Sequence, residues 1–137
     1  MHRDIKPANI LCNGINSLKL ADFGLSKQFK VPLRRQSICV GTLQYMAPEM
    51  LAHRDDYSAT VDMWAIGCIM YEMMTGDYFS NFQNSQQIIT NLIKIFGTEC
   101  VRESKIFNEE VHKQFFYTNH EGTGIEVRFV LIYINLD

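Results

Sequence analysis

Residues 61–74, Val-Asp-Met-Trp-Ala-Ile-Gly-Cys-Ile-Met-Tyr-Glu-Met-Met, constrain the fold of this chain more than any other stretch. Wound as a helix from a cap at Thr60, they place Trp64, Ile66, Ile69, Met70 and Met73 on nearly every face. A helix that is apolar all round must be buried. The stretch is too short to cross the ~30 Å of a bilayer core as a helix, so protein has to bury it. Thr75-Gly76 stops it. The chain is therefore expected to pack other elements around a central helix, within about one domain.

The remaining segments supply those elements. Ser85 caps a second helix over 86–96, with Ile88, Ile89, Leu92, Ile93 and Phe96 on one side and Gly97 as its stop. Ala47-Pro48-Glu49-Met50-Leu51 opens a short helix, with Pro48 in its first turn. Ile10-Leu11-Cys12 and Leu18-Lys19-Leu20 flank the turn dipeptide Asn13-Gly14 and read as a hairpin. It is expected to hold the Asp4 loop at one end and the Asp22 loop at the other. Periodicity is weak over 25–46, which reads as a long loop, and loops of that length are usually functional or disordered. Residues 101–117 suit a weakly amphipathic helix; Gly122-Thr123-Gly124 breaks it, and 125–134 read as a strand. The expected class is α+β, mostly helical with one small β-hairpin.

A net charge of −2 gives no global basic field for nucleic acid or an anionic membrane, so neither is an expected partner. Lys27, Lys30, Arg34 and Arg35 do cluster locally. Cys12, Cys39, Cys68 and Cys100 lack the close pairing of a zinc site. Cys12 and Cys68 fall in apolar runs, where a buried thiol behaves as a small hydrophobe. Charge begins at Arg3 with no apolar run after it, unlike a secretory signal. The expected location is the cytoplasm or nucleus.

The chemistry concentrates in two short loops. Met1-His2-Arg3-Asp4-Ile5-Lys6-Pro7-Ala8-Asn9 places a carboxylate, a cation and an amide together, and Asp22-Phe23-Gly24 can bring a second carboxylate beside them. Asp4 can orient an attacking hydroxyl and take its proton. Lys6 would set an ammonium against charge developing on a transferred phosphate. Asn9 and Asp22 offer oxygen ligands of the kind Mg²⁺ prefers. Gly24 would let the backbone turn sharply beside the metal. Together these residues suit phosphoryl transfer from Mg-ATP to a hydroxyl.

His-Arg-Asp-x-Lys-x-x-Asn followed by Asp-Phe-Gly resembles the catalytic and metal-binding loops of protein kinases. Gly41-Thr42 with Tyr45-Met46-Ala47-Pro48-Glu49 resembles the end of a kinase activation segment. The run from Asp62 through Cys68 resembles the start of the family's central helix. The resemblance implies ATP and Mg²⁺ as cofactors and a protein as substrate. It implies that Thr42 bonds Asp4 and Lys6, that Asp62 accepts backbone hydrogen bonds from His2-Arg3, and that Gly24 and Glu49 are structural anchors. Lys6-Pro7 favours serine/threonine specificity. Val61 through Ile69 and Ile95-Phe96-Gly97-Thr98 look like the cyclin-dependent and mitogen-activated kinase group. Met46 stands where that group usually has arginine, and Gly41-Thr42-Leu43-Gln44-Tyr45 is closer to other serine/threonine groups. Arg3 implies control by a phosphorylated loop residue, with Ser37 the candidate, Ser26 a weaker one, and an activating kinase or regulatory subunit as partner.

The resemblance covers residues 1–97, a partial kinase domain, and leaves 98–137 as a divergent tail. The sequence holds no Gly-x-Gly-x-x-Gly loop, no Val-Ala-Ile-Lys strand and no partnering glutamate helix, the parts that cover the nucleotide. Arg102 and Arg128, the only arginines after the central helix, do not stand where the family's partner of Glu49 does. The expectation is a large-lobe fragment of a Ser/Thr kinase, with the N-terminal lobe absent and little activity of its own. The alternative is a non-catalytic kinase-like protein that binds partners through the helix over 86–96.

Overall fold

A computed structural model describes residues 1–28, 40–54, 56–103 and 121–122. Strand β1 (Ile10–Cys12) pairs antiparallel with β2 (Leu18–Leu20), Ile10 opposite Leu20 and Cys12 opposite Leu18. Antiparallel pairing brings chain entry and exit together. The Asp4 and Asp22 loops therefore share the open end of the hairpin, rather than occupying opposite ends. Ala21 N–H extends the pairing by donating to Asn9 O at 2.8 Å. At the far end Gly14 turns the chain at φ +75°, and Asn13 N–H closes the loop on Ser17 O at 2.8 Å. Leu11, Leu18 and Leu20 are exposed, and so is the Cys12 thiol, contrary to the expectation of a buried one.

Among the described residues four α-helices follow: α1 (Pro48–Leu51), α2 (Thr60–Thr75), α3 (Ser85–Phe96) and α4 (Thr98–Glu103). Pro48 occupies the first turn of α1, where its missing N–H costs nothing. Thr60 is the first residue of α2 rather than its cap; Ala59 holds that position and Ser58 Oγ accepts the Thr60 N–H at 3.2 Å. Asn84, not Ser85, caps α3, its Oδ1 accepting from Gln87 N–H at 2.9 Å. Both helices stop at glycines of positive φ, Gly76 at +79° and Gly97 at +82°. Helix α4 begins at Thr98, ahead of the expected 101–117 helix.

The core joins Val61, Trp64, Ala65, Cys68 and Ile69 of α2 to Met50 and Leu51 of α1, to Tyr57, and to Ile88, Ile89, Leu92 and Ile93 of α3. Phe79 bridges α2 and α3, its ring meeting Tyr71 and Trp64 edge-on at centroid distances of 5.3 and 6.0 Å and lying 6.4 Å from that of Phe96. Burial pushes the Cys68 thiol up to about 12, so it is an inert apolar group here. The expectation of all-round burial for α2 is corrected by its other face: Met63, Ile66, Met70, Met73 and Met74 are exposed, the last at 83%. Among the described residues, no helix is long and apolar enough to cross a membrane. Lys30, Arg34, Arg35, Ser37, Cys39, Arg128, most of the 101–117 helix and the 125–134 strand lie outside the described residues.

Candidate active site

The Asp4 loop is built on strain held in place by α2. Arg3 has φ +69°, a conformation non-glycine residues rarely adopt. The Asp62 carboxylate, in the first turn of α2, accepts His2 N–H at 2.7 Å and Arg3 N–H at 2.8 Å. Two charge-assisted bonds to consecutive amides fix the turn at that conformation. The His2 ring links the two loops, with Nε2 2.9 Å from Ala21 O and its edge against Phe23 at 4.8 Å. Its Nδ1 lies 3.4 Å from Asp4 N.

The buried Asp4 carboxylate, 9% exposed, is met on both oxygens. Thr42 Oγ donates to Oδ1 at 2.8 Å, and Lys6 Nζ lies 2.9 Å from Oδ2. Lys6 Nζ also donates to Thr42 Oγ at 2.8 Å, closing a triangle of ammonium, hydroxyl and carboxylate. Burial alone would raise the Asp4 pKa, but the bonds from Lys6 and Thr42 and the charge of Lys6 outweigh it and hold the carboxyl below its ordinary value. Gly41 permits this approach. It has φ +113°, and a Cβ there would lie 2.6 Å from Arg3 O. Behind the triangle a recess of ≈ 10 Å³ reaches Met50 and Asp62, room for about one water and nothing larger.

Asn9 is buried, and its Nδ2 donates to Asp4 O at 2.8 Å and lies 3.3 Å from Asp4 Oδ2. With the nitrogen committed, Oδ1 is the atom its amide can offer a cation. Asp22 is exposed at φ +59°, and its Oδ1 accepts Gly24 N–H at 3.3 Å. The sharp turn therefore belongs to Asp22, not to Gly24, whose φ is not positive. At Gly24 a Cβ would stand 3.1 Å from Asp22 Oδ1, a tight contact that the exposed Asp22 carboxylate would have to relieve by shifting a few tenths of an ångström. Among the described residues no three His, Cys, Asp or Glu side chains gather as a metal cage. One carboxylate and one amide oxygen still fit Mg²⁺, which keeps waters and takes substrate phosphate oxygens as its other ligands.

Glu49 lies further off, in α1. Burial pushes its carboxyl above the ordinary value, and the nearby charge of Arg54 only partly counters this. Arg3 Nε donates to Leu25 O at 2.7 Å and its Nη1 to Tyr57 OH at 3.2 Å. Tyr45 OH donates to Glu72 Oε2 at 2.7 Å, tying the segment after Thr42 to the far end of α2. The sequence reading missed Tyr57 and Glu72 as parts of this framework, and named Gly41 beside Thr42 without giving it a role of its own.

Residues 1–121 match the protein kinase domain family. The chain belongs to that family. The match continues past residue 97, into the stretch read as a divergent tail. Among curated kinases it is similar to Cyclin-dependent kinase G-1 of Oryza sativa subsp. indica, 46% identical over 99 residues. It is also similar to Cyclin-dependent kinase G-2 of the indica and japonica subspecies, 39% identical over 98 residues. Each alignment covers 72% of this chain and 14% of the relative, so the chain spans about one-seventh of those kinases' length. In solved structures the kinase fold recurs in the yeast RNA Pol II CTD kinase CTDK-1 complex, with a TM-score of 0.76 and 26% identity. That match covers 98% of this chain and 48% of the other. The G-1 and G-2 kinases belong by name to the cyclin-dependent group whose features appear at Val61 through Ile69.

Proposed function

We propose that this chain carries the catalytic half of a Ser/Thr protein kinase, transferring phosphate from Mg-ATP to protein hydroxyls, and that these 137 residues alone are inactive. The observation that carries the reading is the triangle of Asp4, Lys6 and Thr42, with Asn9 bonded to Asp4 and paired through its backbone to Ala21, next to Asp22. Asp4 would orient the attacking hydroxyl. A carboxylate held below its usual range is a weak base, so the proton would move to Asp4 late, as the new O–P bond forms. Thr42 keeps Asp4 and Lys6 at a fixed separation, and Lys6 would face the charge growing on the phosphoryl oxygens. Asn9 and Asp22 would hold Mg²⁺, which when bound neutralises the phosphates.

Serine/threonine specificity rests on Lys6 and on the cyclin-dependent relatives. The same relatives and the kinase complex support a regulatory subunit as partner. Arg3, whose side chain among the described residues meets the neutral acceptors Leu25 O and Tyr57 OH, would receive a phosphorylated Ser37 from an activating kinase. The proposed location is cytoplasm or nucleus. The parts that cover a nucleotide are not in these residues, hence the inactivity.

The test joins the chain behind a small lobe taken from a cyclin-dependent kinase and assays serine, threonine and tyrosine peptides. Transfer to serine or threonine is expected only from the fusion, reduced by at least about 100-fold in Asp4→Asn. A folded fusion that transfers nothing, or one indifferent to Asp4→Asn, would leave a non-catalytic binding role in its place.

A further inference from the structure

The geometry points to Asn13 as a site of spontaneous covalent modification, conversion of its amide to aspartate and isoaspartate through a cyclic imide. Asn13 alone among the asparagines is followed by glycine, and both residues are exposed at the tip of the β1–β2 hairpin. The nucleophile in this chemistry is the peptide nitrogen of the following residue. Among the described residues that nitrogen at Gly14 has no hydrogen-bond partner, and nothing lies within 4 Å of the position a Cβ would occupy. The two bonds of the loop involve other atoms. Asn13 N–H donates to Ser17 O, and the Cys12 thiol donates to Gly14 O at 3.2 Å.

The step balances with water as the only co-reactant. The Gly14 nitrogen loses its proton to solvent base and attacks Asn13 Cγ. The bond from Cγ to the side-chain nitrogen breaks, and that nitrogen leaves as ammonia with a proton returned from solvent. Water then opens the ring at either carbonyl, giving aspartate or isoaspartate with no change of oxidation state. Asn9, Asn16 and Asn84 are held back. Asn84 Oδ1 is bonded to Gln87 N–H, and Asn9 is buried with its Nδ2 on Asp4. Asn16 precedes Ser17, which unlike glycine carries a side chain next to the attacking nitrogen. Either product adds a negative charge to a chain of net charge −2. The isoaspartyl product also inserts a carbon into the main chain of the loop that closes the β1–β2 register, with Asn9 and Ala21 paired at its other end.

Peptide mapping of the aged 137-residue chain tests this, with isoaspartyl methyltransferase labelling as a second readout. The expected result is loss of the amide at 13 ahead of 16 and 84, faster as pH rises, with labelling lost in Asn13→Gln and slowed in Gly14→Ala. Retention of the amide at 13 in the folded chain while urea-unfolded chain converts would overturn the proposal. So would conversion at 16 or 84 that keeps pace with 13. The parent chain's own map decides the matter even if a variant misfolds.

Discussion

Asp62 shows how one side chain can hold a strained loop. Its two oxygens serve the amides of His2 and Arg3, so Asp62→Ala leaves both donors unmet and releases the φ +69° turn. At about 1.5–3 kcal/mol for each bond to a charged group, the expected loss is about 3 kcal/mol or more, read from urea denaturation. Glu49 behaves oppositely. Its folded pKa is raised, so its contribution to stability is fully present below the unfolded value and is lost as pH rises through the folded one. Glu49→Gln should match the parent at acid pH and exceed it in stability at neutral pH, checked by thermal melts at both. Asp4, Lys6, Asn9 and Asp22 were legible in sequence because they lie within short loops. The link from Tyr45 to Glu72 was not, since a bond across 27 positions leaves no local pattern.

At the scale of elements, period and punctuation placed α2, α3 and the hairpin, while capping slipped by one residue at each helix. Thr60 and Ser85 have suitable hydroxyls, yet Asn84 holds the extended backbone that a cap needs, and the carboxamide reaches Gln87 N–H. Asn84→Ala should therefore cost about 1 kcal/mol and Ser85→Ala much less, compared by denaturant midpoint. In α3, Leu92 is fully buried, so Leu92→Ala should cost about 2–5 kcal/mol. The placement of the catalytic loops at opposite ends of the hairpin failed because strand content is read along the chain, whereas register is a property of the pair.

For the whole molecule, α2 reports what the described residues leave undone. Its sequence demands burial on all sides, but Met63, Ile66, Met70, Met73 and Met74 face outward. Such a surface drives association. Replacing Met70, Met73 and Met74 with glutamine should lower self-association in sedimentation while changing stability by no more than about 0.5 kcal/mol per site. The fold class was readable because the apolar helix and the hairpin are strong local patterns; the open face of α2 was not, since periodicity says that a side chain wants cover without saying what supplies it. The account depends on Asn9 and Asp22 sharing one metal beside Asp4. Manganese is a paramagnetic stand-in for Mg²⁺, and adding it with ATP to the isotope-labelled chain joined to a small lobe should broaden the resonances of Asn9 and Asp22 first, an effect lost in Asp22→Asn. Broadening centred elsewhere, or unchanged in that variant, would contradict it.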